Sequence, residues 1–277
     1  MLLYNGALLS DSDFALSLPN RGLYFNDGFF ETMVWAEGSV RYLPHHWQRL
    51  KRAATVLGYV LPPDLASPQA LINALAGLVT QHPEYQQAPA RVRLQLWRDG
   101  GGLYLPTTTH PNWLATLQPF VAHAAPVTTA DFARSVQVHA SPVSFCKGPN
   151  ALLYVLAAQE RAQRNLDELV LLSSAGHVAE AVAAAIAWIR EGTVYCPTEA
   201  TGCVAGTRLA HLREKAHQLG IEWQEGLFSP SELVAAEAVF TANVAGIRPI
   251  QQVAAVAINS VAHPLLQALC AADTRHD

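Results

Sequence analysis

The sequence predicts an α+β chain of two domains: a small N-terminal α/β domain over residues 1–121 and a larger, β-rich C-terminal domain with helices over 127–277, joined by a linker at 122–126. Three observations carry that expectation. At 277 residues the chain is long for one small core and suits one large or two medium ones. Period-two runs flank two amphipathic stretches in the first part, while short apolar runs broken by glycine turns fill the second. Between them, Ala122-His123-Ala124-Ala125-Pro126 follows neither period and ends in proline.

In order, residues 2–9 predict a hairpin, because two apolar runs flank Asn5-Gly6. Asn26-Asp27-Gly28 is a turn, followed by a strand to Trp35. Its alternation places Phe30, Thr32 and Val34 on one face and Phe29, Glu31 and Met33 on the other. Ala36-Glu37-Gly38 turns into a return strand over 40–43. Helices are expected at 45–57, with Trp47, Leu50, Ala54 and Leu57 on one face, and at 67–79, where Ser67-Pro68 supplies a cap and first-turn proline. Residues 90–97 alternate cleanly, with Val92, Leu94 and Leu96 inward, and run into the glycine-rich loop of Asp99-Gly100-Gly101-Gly102. That loop is expected to be a mobile surface loop or lid. Another strand covers 113–121.

The second part starts with a strand at 135–140 and a helix at 151–163. Short strands at 168–172, 178–180, 183–189 and 193–196, separated by Ser-Gly and Glu-Gly turns, read as a β-meander. A helix at 208–219 ends at Gly220, a short helix opens at Ser229-Pro230, and a strand over 238–242 closes on Asn243-Val244-Ala245-Gly246.

Composition narrows the function classes. The chain is 51% hydrophobic and 14% charged, with net charge −4, three lysines and fifteen arginines. The low charge points to surface buried in an assembly, and the lack of a basic block argues against nucleic acid. Four cysteines without ligand spacing predict free thiols in a reducing compartment and no metal site. No basic leader precedes an apolar run, and no run approaches membrane length, so the expected setting is cytoplasmic.

Several residues could carry chemistry. Lys147, in Val143-Ser144-Phe145-Cys146-Lys147-Gly148-Pro149-Asn150, lies between apolar segments, whereas Lys51 and Lys215 keep charged company. It is either a solvated ammonium or an amine nucleophile. Glu180, set in an apolar run, either reaches water at a strand end or is a paired buried carboxylate. Gly206-Thr207 at a helix start and Ala242-Asn243 at a strand end read as an ordinary cap and turn, or as anion nests. Arg49 is a solvated charge or a phosphate fork.

Taken in register, these pieces resemble the fold-type-IV pyridoxal-phosphate enzymes, the class IV aminotransferases that include branched-chain and D-amino-acid aminotransferases and aminodeoxychorismate lyase. The resemblance runs through Asn5-Gly6, Asp27-Gly28-Phe29-Phe30-Glu31-Thr32, His46-Trp47-Gln48-Arg49-Leu50, Ala90-Arg91-Val92-Arg93-Leu94, Lys147-Gly148-Pro149-Asn150, Gly176-His177-Val178-Ala179-Glu180-Ala181, Gly206-Thr207-Arg208 and 241–249. It implies pyridoxal 5'-phosphate as cofactor, with Lys147 as its covalent anchor and proton shuttle and Glu180 as partner of the pyridinium nitrogen. Arg49, Gly206, Thr207, Ala242 and Asn243 would hold the phosphate, and Phe30, Thr32 and Arg98 would line the substrate side. It further implies a homodimer acting on a small amino acid/keto acid pair. Elimination of pyruvate by an aminodeoxychorismate lyase is the alternative, and a non-catalytic ligand-binding relative is a third. The chain departs from the family pattern at Ala151, where branched-chain enzymes place tyrosine, at Ala185, where asparagine is usual, and at Ala242, where a hydroxyl residue is common.

Overall fold

The computed structural model describes residues 1–149 and 151–273; Asn150 of the lysine motif and residues 274–277 lie outside the described residues. The chain forms two compact units, one of Met1–Val121 with Cys146–Pro149, the other of Ala122–Phe145 with the remainder from 150 onward.

The first unit begins with β1 (Leu2–Tyr4) and β2 (Ala7–Leu9), closed by Asn5 and Gly6 at φ 48° and 83°. Both positive angles suit the tight hairpin that Asn-Gly favours. Helix α1 (Arg21–Phe25) follows, capped by Asn20, whose side chain accepts from the Leu23 amide at 3.1 Å. Five residues are too few to show a helical period, so α1 leaves no periodic signal in the sequence. Next come β3 (Gly28–Ala36), β4 (Ser39–Val40), α2 (Leu43–Leu57), α3 (Pro68–Val79), β5 (Ala90–Arg98) and β6 (Pro111–Pro119). The return strand is shorter than expected because Tyr42 turns left-handed at φ 57° and α2 starts at once. The sheet order is β2-β1-β6-β5-β3-β4, and Val92, Leu94 and Leu96 are fully buried, as their alternation predicts.

Residues 146–149 join this unit through β3. The Phe30 amide donates to the Lys147 carbonyl at 2.9 Å, and the Asn26 side chain donates to the carbonyls of Gly148 and Pro149 at 2.9 and 3.0 Å. Gly148 is needed there: its φ is 132°, and a Cβ would sit 3.0 Å from the Phe29 Cα. Lys147 thus follows the linker in sequence yet packs with the first unit.

The second unit comprises β7 (Ala130–Phe132), α4 (Ala151–Gln163), β8 (Glu168–Leu172), β9 (Val178–Ala181), β10 (Ala185–Arg190), β11 (Thr193–Pro197), α5 (Thr207–Gln218), β12 (Trp223–Gly226), α6 (Pro230–Val234), β13 (Ala238–Asn243), β14 (Gly246–Ile250), β15 (Gln252–Val253), β16 (Val256–Ala257) and α7 (Pro264–Asp273). Two features correct the sequence reading. First, residues 135–140 form no strand; only Val138 bridges Ser173. The Glu160 carboxylate takes the amides of Arg134 and Ser135 at 3.0 and 2.8 Å, withdrawing those donors from any ladder. Second, the meander is split. β8 and β9 belong to a sheet ordered β16-β15-β7-β8-β9, while β10 and β11 belong to β12-β11-β10-β13-β14. The chain changes sheets at a tight turn of small residues, closed by Ala181 N–H to the Ala184 carbonyl at 2.9 Å.

Side-chain alternation then builds three apolar layers. Val170 and Val178 meet Ile186, Trp188 and Val239 between the sheets. Ala187, Ile189 and Phe240 face Leu212 of α5 and Leu266 and Leu269 of α7. Leu169, Leu171 and Ala179 face Ala157 of α4. No helix among the described residues is long and apolar enough to cross a membrane.

Candidate active site

In the first unit the chemistry gathers on β3. Facing α2, the Glu31 carboxylate receives Arg49 Nε at 2.7 Å and Arg49 Nη2 at 2.6 Å, with His46 Nδ1 2.7 Å from Oε2. Glu31 and His46 are wholly buried and Arg49 nearly so. Burial alone would raise the Glu31 pKa, but the Arg49 charge and the bonds from His46 and Arg49 hold it down to about 2. Burial pushes the His46 pKa down, against the pull of Glu31, and the Lys147 ammonium adds to the depression. An ionised carboxylate only accepts, so His46 Nδ1 carries the hydrogen. Lys147 therefore has charged company after all, brought by the fold rather than by its sequence neighbours.

On the opposite face of β3, Phe30 and Thr32 stand opposite Gln95 and Arg93 of β5. The Arg93 guanidinium lies 3.8 Å over the Phe30 ring, and desolvation followed by the nearby Arg91 charge lowers its pKa. The backbone bridge from Phe30 to Lys147 fixes the lysine segment against this strand. Phe30, Thr32, Arg49 and Lys147 are thus brought to β3 and its neighbours.

Arg98 is placed differently. Its Nε donates to Asp27 at 2.9 Å, Nη1 to the Thr108 carbonyl at 3.2 Å, and Nη2 to the Leu57 carbonyl, while the guanidinium lies 4.6 Å over the Tyr59 ring. Three of its five N–H donors are thereby engaged, one of them on the 99–108 loop. Arg21 shares Asp27 at 2.8 Å and donates to the carbonyls of Gly101, Gly102 and Leu103. The glycine-rich loop is therefore anchored at its base by two buried arginines, while Leu103, Tyr104 and Leu105 are exposed.

In the second unit Glu180, at the end of β9, is 4% exposed. Tyr154 of α4 donates its phenol hydrogen to Oε1 at 2.6 Å, and the Val204 amide donates to Oε2 at 3.2 Å. Two residues beyond Val204, Gly206 caps α5, and a Cβ there would meet the Ala185 Cβ at 2.9 Å. Ala185 pairs with Ala242 across β10 and β13. Asn243 ties the adjoining turns, donating to the Ala183 carbonyl at 3.1 Å and accepting from the Ala245 amide at 2.8 Å. Arg208 completes the arrangement by donating to the Asn243 carbonyl at 3.0 Å and to the buried Asp273 carboxylate at 2.5 Å. Glu180, Gly206, Thr207, Ala242 and Asn243, distant in sequence, are brought to one region.

Glu31, Arg93 and Tyr154 contact the candidate residues, and His46 contacts Glu31, without being among those the sequence points to. The His46–Arg49 spacing on α2 is a usable signal, since residues three apart share a helix face. Tyr154 carried no signal, because its partner lies 26 residues away on another element.

The fold is that of the fold-type-IV pyridoxal-phosphate enzymes. A 4-amino-4-deoxychorismate lyase structure from Pseudomonas aeruginosa superposes with TM-score 0.82 at 25% identity, covering 97% of this chain and 96% of that one. The class IV amino-transferase family model matches residues 28–253, and the chain belongs to that family. Its members are enzymes, pyridoxal-phosphate-dependent aminotransferases and lyases that act on small amino and keto acids. An aminodeoxychorismate lyase of Bacillus subtilis is 25% identical over 257 residues, 91% of this chain and 86% of the relative. A D-alanine aminotransferase of Bacillus licheniformis is 24% identical over 273 residues, 94% of this chain and 90% of the relative.

Proposed function

We propose that the chain binds pyridoxal 5'-phosphate and transfers the amino group between a small amino acid and a keto acid. The observation that carries this reading is Glu180, a buried carboxylate with a donor on each oxygen. Such a group suits a protonated ring nitrogen, a cation that would offset the cost of burying the carboxylate. The residues present fit the cofactor in a second respect. Gly206 brings no side chain to the start of α5, and helix N–H groups with neighbouring turns favour a phosphate.

When bound, pyridoxal phosphate supplies an aldehyde that condenses with amines and a ring that accepts the electron pair left when an α-proton departs. The chain's residues do the rest. Lys147 Nζ would be the amine that holds the cofactor and, once freed from it, the base that takes and carries the substrate's α-proton. Glu180 would face the ring nitrogen and favour its protonated form. Gly206, Thr207, Ala242 and Asn243 receive the phosphate. Arg49 would reach it only with what its pairing to Glu31 leaves. Phe30 and Thr32 line the substrate side, and Arg93, a partly desolvated cation on the same face, is our candidate for the substrate carboxylate in place of Arg98.

We further propose a homodimer, supported by the exposed Leu103-Tyr104-Leu105 run, and a cytoplasmic setting, supported by four free thiols. The test supplies the cofactor-loaded protein with amino acid/keto acid pairs and, separately, with aminodeoxychorismate. Amino exchange between a pair is the expected result. Pyruvate and p-aminobenzoate released without any keto acid would replace this reading with the lyase one, which the Bacillus subtilis relative favours.

A further inference from the structure

Glu180 is held from two sides, by unlike donors. The Val204 amide comes from backbone whose position the chain fixes, at 3.2 Å from Oε2. The donor on Oε1 is a side chain, Tyr154 Oη at 2.6 Å, on the first turns of α4. The Tyr154 ring packs against the buried cluster of Val138, Ala157, Leu169, Leu171 and Ala179, so its phenol end has little freedom. A short, charge-assisted O–H···O⁻ bond from an anchored ring fixes both the rotamer of the carboxylate and the direction of its remaining lone pairs.

We propose that Tyr154 is the positioning residue for Glu180: its phenol aims the carboxylate at the cofactor's ring nitrogen and thereby sets how fully that nitrogen is protonated. The inference rests on the proposed pyridoxal-phosphate reading and extends it to a residue of α4. On this reading Tyr154 acts through Glu180, the partner its phenol binds. Phenylalanine at 154 keeps the ring in its cluster and removes only the oxygen, which makes Tyr154→Phe a clean deletion.

A positively charged ring nitrogen withdraws electrons and eases deprotonation of the lysine-bound cofactor. Losing the aim of Glu180 weakens that withdrawal, so the spectroscopic pH midpoint moves up. The experiment is a pH titration of the absorbance of wild-type, Tyr154→Phe, Glu180→Gln and the double variant, each reconstituted with pyridoxal phosphate, without substrate. We expect Tyr154→Phe to raise the midpoint by about one pH unit, the size of one charge-assisted hydrogen bond. In the Glu180→Gln background the same change should add little, because the route through Glu180 is already broken. A Tyr154→Phe midpoint equal to that of the wild type, or a shift of equal size in both backgrounds, overturns the role of Tyr154 while leaving the cofactor reading standing. A wild type with no lysine-dependent absorbance overturns both. A purely structural role would lower the melting temperature of the cofactor-free protein without moving the midpoint.

Discussion

Arg49 grips both oxygens of Glu31, through Nε at 2.7 Å and Nη2 at 2.6 Å, in a site where neither side chain has appreciable access to water. The bidentate geometry is the strong form of an ion pair. It also orders the site: α2 is locked to β3, the strand to which the backbone of Lys147 is bridged.

Removing one partner of such a pair strands the other. Glu31→Ala should therefore destabilise the protein by about 3–5 kcal/mol, because the Arg49 charge stays buried without its carboxylate. Chemical denaturation followed by circular dichroism measures this. A loss no larger than a surface substitution gives would show that water enters and solvates Arg49.

The same carboxylate makes stability depend on acid. Its folded pKa, about 2, lies below the ordinary 4.5, so its contribution is fully present above 4.5 and is lost as pH falls toward 2. Denaturant midpoints measured across this window should fall with pH in the wild type. In Glu31→Gln the slope should be shallower, since that group no longer titrates.

Lys147→Ala should lose the absorbance band at about 410–430 nm, roughly where a protonated lysine–cofactor Schiff base absorbs. The band should appear when the wild type is reconstituted with pyridoxal phosphate. Its persistence in the variant would assign the covalent link to another amine, Lys51 or Lys215 being the remaining lysines.

At Gly206 an added methyl would meet the Ala185 Cβ at 2.9 Å, closer than real contacts allow. The backbone conformation there is ordinary, with φ −72°, so Gly206→Ala tests the close approach alone. We expect pyridoxal phosphate to bind about tenfold more weakly, equivalent to about 1.4 kcal/mol. Pyridoxal, which lacks the phosphate, should bind both proteins alike. Equal weakening for the two ligands would move Gly206 away from the phosphate.

Thiol reagents should find little to attack. Burial pushes Cys146 up to about 11 and Cys196 and Cys203 up to about 12, and raises Cys270 as well. At pH 7.5 these groups are thiols rather than thiolates. Iodoacetamide labelling followed by mass spectrometry should be slow in the folded protein and rapid in denaturant. Fast labelling of Cys196 or Cys203 would indicate local opening of β11 or of the segment before α5.

What the sequence determined by itself was whatever local chemistry decides. Asn5-Gly6 determined a hairpin, Ser67-Pro68 a helix start, and the alternation around Val92, Leu94 and Leu96 a buried strand face. The motifs in register also determined the family, since residue order along a chain survives without any knowledge of packing. Long-range pairing decided the rest. The apolar strands after 168 look alike in sequence, and only their assignment to one sheet or the other, with apolar layers on both faces of each, split the expected meander. Residues 135–140 lost their strand to a carboxylate on α4. Arg98 and Tyr154 show the same limit at the site. A guanidinium keeps for other partners only the donors that nearby carbonyls and carboxylates leave, and a tyrosine near a helix start becomes a carboxylate's partner only when the fold delivers that carboxylate. Both outcomes depend on groups far away in sequence, which meet only once the apolar layers have closed.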